Sequence, residues 1–578
     1  MTEASAAVAD NRQDELLALE RAHYKQYPQD MIHAGLLKIK TKVEGLKTLS
    51  LNNAQMIFLA CLNKLVDEKK PVRVLLLKAR QLGMSTLTEA ILFCNTSQKE
   101  GINTLVIADD VKGSNYIFEM QKLFYEYLPE HLKPPIKHSN EKKLEFDAIH
   151  SQVLIDTAEN KDVGRKMTLQ NVHLSECAFF TDFNKIMLGL NQSVPSKPGT
   201  MIIIETTANG IGNSFYEMWQ KAKKGESEWR CVFIGWHELP EYRLPLSGSN
   251  KDEFYPIDGI SADKIKFLAD EKKLKERFNL DDEQLNWRRW CIVNNCDGDT
   301  GLWAQEYPSD DVEAFLMSGS CYFDKEGLLK QEEKRRKWLE KNKVVIGNIV
   351  KFEGKYVFRE SIDGRYRRYE APDHDSTYVI GGDAAEGLPH GDDAAMSVLN
   401  KKFNRVAMVM NCTADTDELA EDMVKAGNYY NMAMAAPENK GYGSAVCKKV
   451  YASYGNVYRR VRDKTGAVDV SDELGWNTNV TSRSTMLTQL KEEIREGAID
   501  ILDEEILSQL QTFINDPKRK KPMAEKNKKD DLVFALAIAV MVRTYYPHVS
   551  RTAIEAARRN RMAASPQLVN QGYGFRKD

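Results

Sequence analysis

A chain of 578 residues allows two large domains with additions, or three to four units of about 150 residues. Its 42% hydrophobic content supports sizeable cores, while a net charge of −3 gives no global signal for nucleic acid, so any basic surface must be local. The longest apolar run, 532–542, has eleven residues, well short of the ~20 that a membrane-spanning helix needs. The opening MTEASAAVADNRQDELL is acidic and polar, without the basic-then-apolar order of a signal peptide. Nine scattered cysteines form no CxxC, and Cys291/Cys296 has no second pair to complete a zinc site. A soluble, intracellular protein with reduced thiols and no membrane partner is expected.

Residues 1–50 read as a charged helical appendage. From about 51 to 240, short apolar runs (VRVLLLKAR, INTLVIADD, SQVLIDTA, NVHLSE, TMIIIETTANG, RCVFIGW) alternate with helical patterns (TLTEAILFCN, NYIFEMQKLFYEYL, FNKIMLGLNQ, NSFYEMWQKAKK). Such alternation predicts a mostly parallel sheet with helices on both faces. Residues 250–300 switch to charged helices, a lid or subdomain of a first domain ending near 325. A charged helix and hairpin-like segments over 326–370 read as a linker region, and a second alternating α/β domain spans 371–548. The tail, 549–578, is Arg-rich and then Ser/Gln/Gly-rich, and is expected to be mobile. There is no internal repeat.

Two stretches carry phosphate chemistry. The first, LLLKARQLGMSTLTEA, is a buried strand, a tight turn and a helix start. Glycine at such a turn lets backbone N–H groups approach phosphate, and the helix N-terminus favours the negative charge. Ser85 or Thr86 can then ligate magnesium. The loop departs from G-x-x-x-x-G-K-[ST]: it has no first glycine, and Met84 stands where the lysine belongs. Downstream, NVHLSECAFF ends a strand in Ser175-Glu176, where such folds place Asp-Glu. Glu176 is suited to polarise water, and Ser175 is a weaker magnesium partner than aspartate. IIIETTANG ends in hydroxyl and amide groups able to sense a γ-phosphate. Gln55 is a candidate reader of the adenine edge, or simply a surface helix residue.

The second stretch sets carboxylates at the ends of apolar runs: Asp383 in YVIGGDAAEG, Asp392 or Asp393 in GDDAAMSVLN, Glu438 in MAMAAPENKGYG, and Asp530/Asp531 in NKKDDLVFALAIAV. Acids gathered from distant strands repel unless a divalent cation neutralises them, the layout of a two-metal phosphodiester-cleaving site. No basic residue is expected among them. An Asp before a helix is, taken alone, more simply an N-cap. Seven Lys or Arg fall within twelve residues just upstream: Lys518, Arg519, Lys520, Lys521, Lys526, Lys528 and Lys529. A charge run is often a solvated loop. Beside a cleavage site it suits phosphate contacts that position DNA without reading sequence. Arg558, Arg559 and Arg561 in the tail are weaker candidates.

Taken together, RQLGMST, LSECAFF, TTANG followed by NSFYEMW, and WAQEYPSDDVEAFLMSGSCYF resemble the large terminase subunit of tailed bacteriophages over roughly 50–545. The resemblance implies an N-terminal P-loop (ASCE-type) ATPase domain and a C-terminal RNase H-like nuclease domain, an ATP-driven motor that threads double-stranded DNA into a procapsid and cuts concatemers. By motif position, Lys78, Arg80, Gln81, Gly83, Met84, Ser85 and Thr86 form the nucleotide loop, with Arg80 or Lys78 replacing the missing lysine and Arg80 preferred for its fork-shaped guanidinium. Glu176 becomes the catalytic glutamate, and Thr206, Thr207 and Asn209 the coupling motif. Asp383, Asp393, Glu438, Asp530 and Asp531 become the nuclease acids, with ATP and Mg2+ (or Mn2+ at the nuclease) as cofactors. Implied partners are viral DNA, the portal ring, the small terminase subunit and further copies in a pentameric ring. The implied place is the host cytoplasm, docked transiently on the procapsid and absent from the mature virion. The rival readings are a repair-type helicase–nuclease and a DNA-binding assembly protein with a weakened ATP site.

Overall fold

The computed structural model describes residues 3–41, 44–160, 163–164, 167–246, 262–318, 320–387, 392–464, 467–516, 519, 521–525 and 528–546. The chain divides into two compact units, Met1–Gly319 and Ser320–Asp578. Both are α/β, as the alternating patterns predict.

The first unit opens with the helices Glu3–Gln26 and Asp30–His33. The sequence reading of a purely helical appendage misses the hairpin that follows, β1 (Lys38–Thr41) and β2 (Gly45–Thr48). The main sheet contains β3 (Val72–Lys78), β4 (Asn103–Ala108), β5 (Ile136–Ser139), β6 (Lys143–Phe146), β7 (Ser151–Thr157), β8 (Asn171–Ser175), β9 (Met201–Thr206) and β10 (Arg230–Ile234). Its order is β10-β3-β9-β8-β4-β7-β6-β5. The first six strands are parallel, and β6 and β5 add an antiparallel edge. β3 is buried throughout, which is why VRVLLLK reads as a continuous apolar run rather than an alternating one. Helices Ala262–Phe278 and Asp282–Asn295 lie within the segment expected to be helical. Trp287 of the second stacks on Tyr242 (ring centroids 4.0 Å apart) and packs against Trp236 and Trp303.

In the second unit, residues 326–370 do not form a linker. After the helix Lys325–Leu339, β11 (Val345–Phe352), β12 (Lys355–Glu360) and β13 (Tyr366–Arg368) extend a sheet that continues with β14 (Tyr378–Asp383), β15 (Ala394–Asn400), β16 (Arg405–Cys412) and β17 (Met434–Pro437). The order is β12-β11-β13-β16-β15-β14-β17, antiparallel throughout except for β14 with β17. The run β16-β15-β14-β17, with a C-terminal helix across it, has the RNase H-like arrangement. That helix, Asp531–Tyr545, lies so close to β14 that a Cβ on Gly381 would sit 1.9 Å from the Ala535 carbonyl oxygen. Two separate hairpins are β18 (Arg459–Lys464) with β19 (Ala467–Leu474), and β20 (Phe513–Asp516) with β21 (Lys521–Ala524), the second of which carries part of the basic run. Among the described residues, no helix is long and apolar enough to cross a membrane.

Candidate functional sites

The nucleotide candidate lies at the carboxyl ends of β3, β8 and β9, where open α/β sheets bind ligands. Lys78 ends β3, and the turn after it uses two left-handed residues, Gln81 (φ 61°) and Gly83 (φ 76°), to enter the helix Met84–Gln98. Gln55 is not the surface helix residue of its alternative reading. It is buried, its Nε2 donates to the Gly83 carbonyl (2.8 Å), and its Oε1 accepts from the Asn52 N–H (3.0 Å). Its nitrogen braces the loop, while its oxygen closes the capping box of its own helix, Asn53–Asp67. A Cβ on Gly83 would meet Gln55 Nε2 at 2.9 Å, so this position needs glycine for space as well as for backbone sign. Met84 is buried and Thr86 half-buried.

The two basic candidates part company. The Lys78 side chain is 8% exposed and its Nζ donates to Glu176 Oε1 at 3.1 Å. Burial works against its charge, but Glu205 and Glu176 outweigh that and hold its pKa above the ordinary lysine value. Arg80 is 56% exposed and pairs with Glu306. Its backbone N–H also donates to the Glu306 carbonyl, and its carbonyl accepts from the Tyr242 hydroxyl. Arg80, preferred on the sequence, stands exposed on the turn, while the strand keeps Lys78 inside.

Glu176 has φ 58° and ψ 40°, a left-handed conformation that costs a non-glycine residue about 1 kcal/mol or more and clusters at functional sites. Its Oε2 accepts from the Thr207 N–H (3.0 Å) and Thr207 Oγ1 (3.1 Å). The Thr206 hydroxyl donates to the Thr207 carbonyl (2.7 Å), and Asn209 Nδ2 donates to the Ala178 carbonyl (3.1 Å). One carboxylate thus bridges the basic residue of β3 and the turn after β9.

Sequence reasoning missed a second carboxylate. Glu205 of β9 is fully buried, and its Oε1 accepts from Ser85 Oγ and from Ser175 Oγ (3.2 Å). Behind it, His173 contacts Glu89 (2.5 Å) and lies 3.6 Å from Glu205. Burial pushes Glu205 up, but Lys78, His173 and Ser85 bring it down to about 2. His173 is raised to about 9 by its two carboxylate neighbours against the cost of burial. The available signal was a lone acid closing an otherwise apolar strand.

In the second unit, strand pairing gathers the acids. Asp383 ends β14, whose Gly382 is in register with Pro437 of β17. Glu438 follows directly, its N–H donating to the Gly382 carbonyl (2.8 Å). Asp393 precedes β15, and its N–H reaches Asp531 Oδ2 (3.4 Å). Asp530 sits at the N-cap position of the last helix without making a side-chain cap, so its carboxylate is not spent there. It accepts instead from the Ala524 N–H of β21 (3.2 Å). Burial, then the charges of Glu438, Asp531 and Asp530, push Asp383 well above the usual carboxylate range. Burial and then Asp392 raise Asp531 to about 7.

The expectation of no basic residue among the acids is overturned. Lys529 Nζ pairs with Asp393 Oδ2 at 2.6 Å, and burial lowers the Arg483 pKa against the charges of Asp530, Glu438 and Asp383, which act on it in the other direction. Arg483 also donates to the Pro522 carbonyl (3.0 Å) and lies over the Phe534 ring, tying the basic hairpin to the acids. Among the described residues, no group of three or more His, Cys, Asp or Glu is arranged to hold a metal ion. The donor chemistry nevertheless suits one: crowded, hard carboxylate oxygens, one of them driven toward protonation by its neighbours. Of the basic run, Arg519 and Lys521 are exposed on the hairpin, and Lys528 precedes the acids. Lys518, Lys520 and Lys526, like Arg558, Arg559, Arg561 and the whole tail, lie outside the described residues.

No protein-family model matches the chain. Solved structures do. The chain is similar to phage large terminases. The HK97 bacteriophage large terminase matches at 10% identity, over 89% of this chain and 99% of that one, with a TM-score of 0.35. A large terminase from a thermophilic bacteriophage, solved in complex with ADP, matches at 8% identity over 86% and 99%, TM-score 0.30. The large terminase nuclease from thermophilic phage G20c with bound magnesium matches at 18% identity over 31% of this chain and 89% of that one, TM-score 0.26.

Proposed function

We propose that the chain is a viral DNA-packaging motor subunit. Its first unit hydrolyses ATP to translocate double-stranded DNA into a procapsid, and its second cuts concatemeric DNA. The observation that carries this reading is the placement of Glu176, strained, with one oxygen on buried Lys78 and the other on Thr207. A base that orients water is thereby linked to a turn that can respond to the γ-phosphate. Lys78 supplies the positive charge that Met84 cannot, and Gln55 fixes the loop that receives the phosphates. Thr206, Thr207 and Asn209 relay the state of the site.

In the second unit, Asp383, Glu438, Asp530, Asp531 and Asp393 would hold Mg2+ or Mn2+. Such ions supply an activated water and stabilise the leaving oxygen. Lys529, Arg519, Lys521 and Lys528 would hold phosphates and leave sequence unread. The portal ring, the small terminase subunit and a ring of further copies in the host cytoplasm complete the proposal. Incubating the purified chain with procapsids, ATP and linear DNA tests it. Nuclease-protected DNA that depends on ATP is expected, and ATP turnover unaffected by DNA together with no protection would refute it.

A further inference from the structure

Ser175 stands at the end of β8, where a hydroxyl cannot supply the charge of a magnesium-binding aspartate. The neighbouring strand supplies a carboxylate in the same space. Ser175 and Glu205 are in parallel register, and Ser175 Oγ lies 3.2 Å from Glu205 Oε1. That oxygen also accepts from Ser85 Oγ, the hydroxyl that opens the helix after the phosphate loop. The other oxygen, Oε2, is buried and has no hydrogen-bond partner. Leaving such an atom unpaired costs about 1–3 kcal/mol, so the arrangement calls for a further ligand. The nearby cations do not fill that role: Lys78 Nζ donates to Glu176, and His173, whose Nδ1 is engaged by Glu89, brings its Nε2 only to 3.6 Å from the other oxygen, Oε1.

We propose that Glu205, together with the Ser85 hydroxyl, binds the divalent cation that accompanies the nucleotide, Ser175 serving only to fix the carboxylate. The acid has moved one strand over, from β8 to β9. Magnesium suits the pair, since it is held by one or two protein oxygens while phosphates and waters fill the remaining positions. The proposal rests on the assignment of the first unit as an ATPase.

The test is a fluorescence titration of the full chain with a non-hydrolysable, fluorophore-labelled ATP analogue, in Mg2+ and in EDTA. Its readout is the ratio of the two affinities. The wild type should show a clear Mg2+-dependent gain, and Glu205→Gln should lose at least the roughly 10–100-fold in metal affinity that removal of an outer-shell partner costs, bringing the ratio toward one. Electron paramagnetic resonance of free Mn2+ in the presence of the analogue should report the same loss. The double variant Ser175→Asp/Glu205→Gln returns a carboxylate to β8 and keeps the charge, so it should regain the ratio. It also decides the matter if Glu205→Gln alone does not fold. A wild-type ratio in Glu205→Gln overturns the proposal. So does an equal loss in Mg2+ and EDTA, which would make Glu205 a charge-balancing residue, and so does a folded double variant with no metal response. If the wild type binds no analogue under either condition, the ATPase assignment itself falls and the proposal with it.

Discussion

Replacing Lys78 with Met keeps most of the aliphatic stem and removes the charge. At 3.1 Å from Glu176 Oε1, and at an effective dielectric of about 20, that charge interacts with the carboxylate by about 5 kcal/mol, much of it offset by the cost of burying the ammonium. What remains for turnover is a preorganised donor at the place where phosphate charge develops. Losing one such donor costs about 10²–10³ in kcat, or about 2.7–4 kcal/mol. Arg80, more than half exposed and paired with Glu306, belongs to the class of surface ion pairs worth roughly 0.2–1 kcal/mol, so Arg80→Met should slow turnover less than about five-fold. The assay is steady-state ATP hydrolysis by the full chain with and without DNA, with metal-dependent DNA cleavage as the control for folding. Lys78→Met turning over within about five-fold of the wild type, while Arg80→Met falls a hundred-fold, would refute the assignment of Lys78.

Other expectations follow from packing and charge. Gly381→Ala forces a methyl into the Ala535 carbonyl and should cost about 1–3 kcal/mol or more, read as an earlier chemical-denaturation midpoint of the second unit. Glu313 is raised to about 7, first by burial and then by Asp310. Its folded pKa lies above its unfolded value, so its contribution to stability is full below about 4.5 and lost as pH rises through about 7. Glu313→Gln should accordingly be more stable than the wild type at pH 8, with the difference closing toward pH 5 in thermal melts. If the variant shows the same pH dependence as the wild type, Glu313 is not the titrating group. Arg483→Ala, which removes the guanidinium facing three acids, should weaken DNA cleavage in Mg2+ while leaving ATP turnover within two-fold. Loss of both activities would mean that the residue serves the fold instead.

Much of this was legible in the residues. Continuous apolar runs gave the buried parallel strands, and the acids after β14 and β17 were visible because each closes such a run. What stayed hidden depends on neighbours that only the fold supplies. Glu205 lies inside IIIETT and reads as part of a strand end until β8 is laid beside it. Gln55 looks like a polar residue on a helix until the loop closes over it. Arg483 stands some fifty residues from the last acids and joins them through the β20–β21 hairpin and the Phe534 ring. Arg80 and Lys78 are two residues apart, and the local sequence cannot tell which one a left-handed turn throws outward.

The central claim is that two separate phosphate chemistries reside in the two units, one turning on Glu176 and the other on Asp383. Its most direct test measures ATP turnover and Mg2+- or Mn2+-dependent plasmid cleavage side by side in Glu176→Gln and Asp383→Ala. Glu176→Gln should lose ATP turnover by orders of magnitude and still cut DNA, and Asp383→Ala should stop cutting and still hydrolyse ATP. Full cleavage by Asp383→Ala in Mn2+, or wild-type turnover by Glu176→Gln, would contradict it.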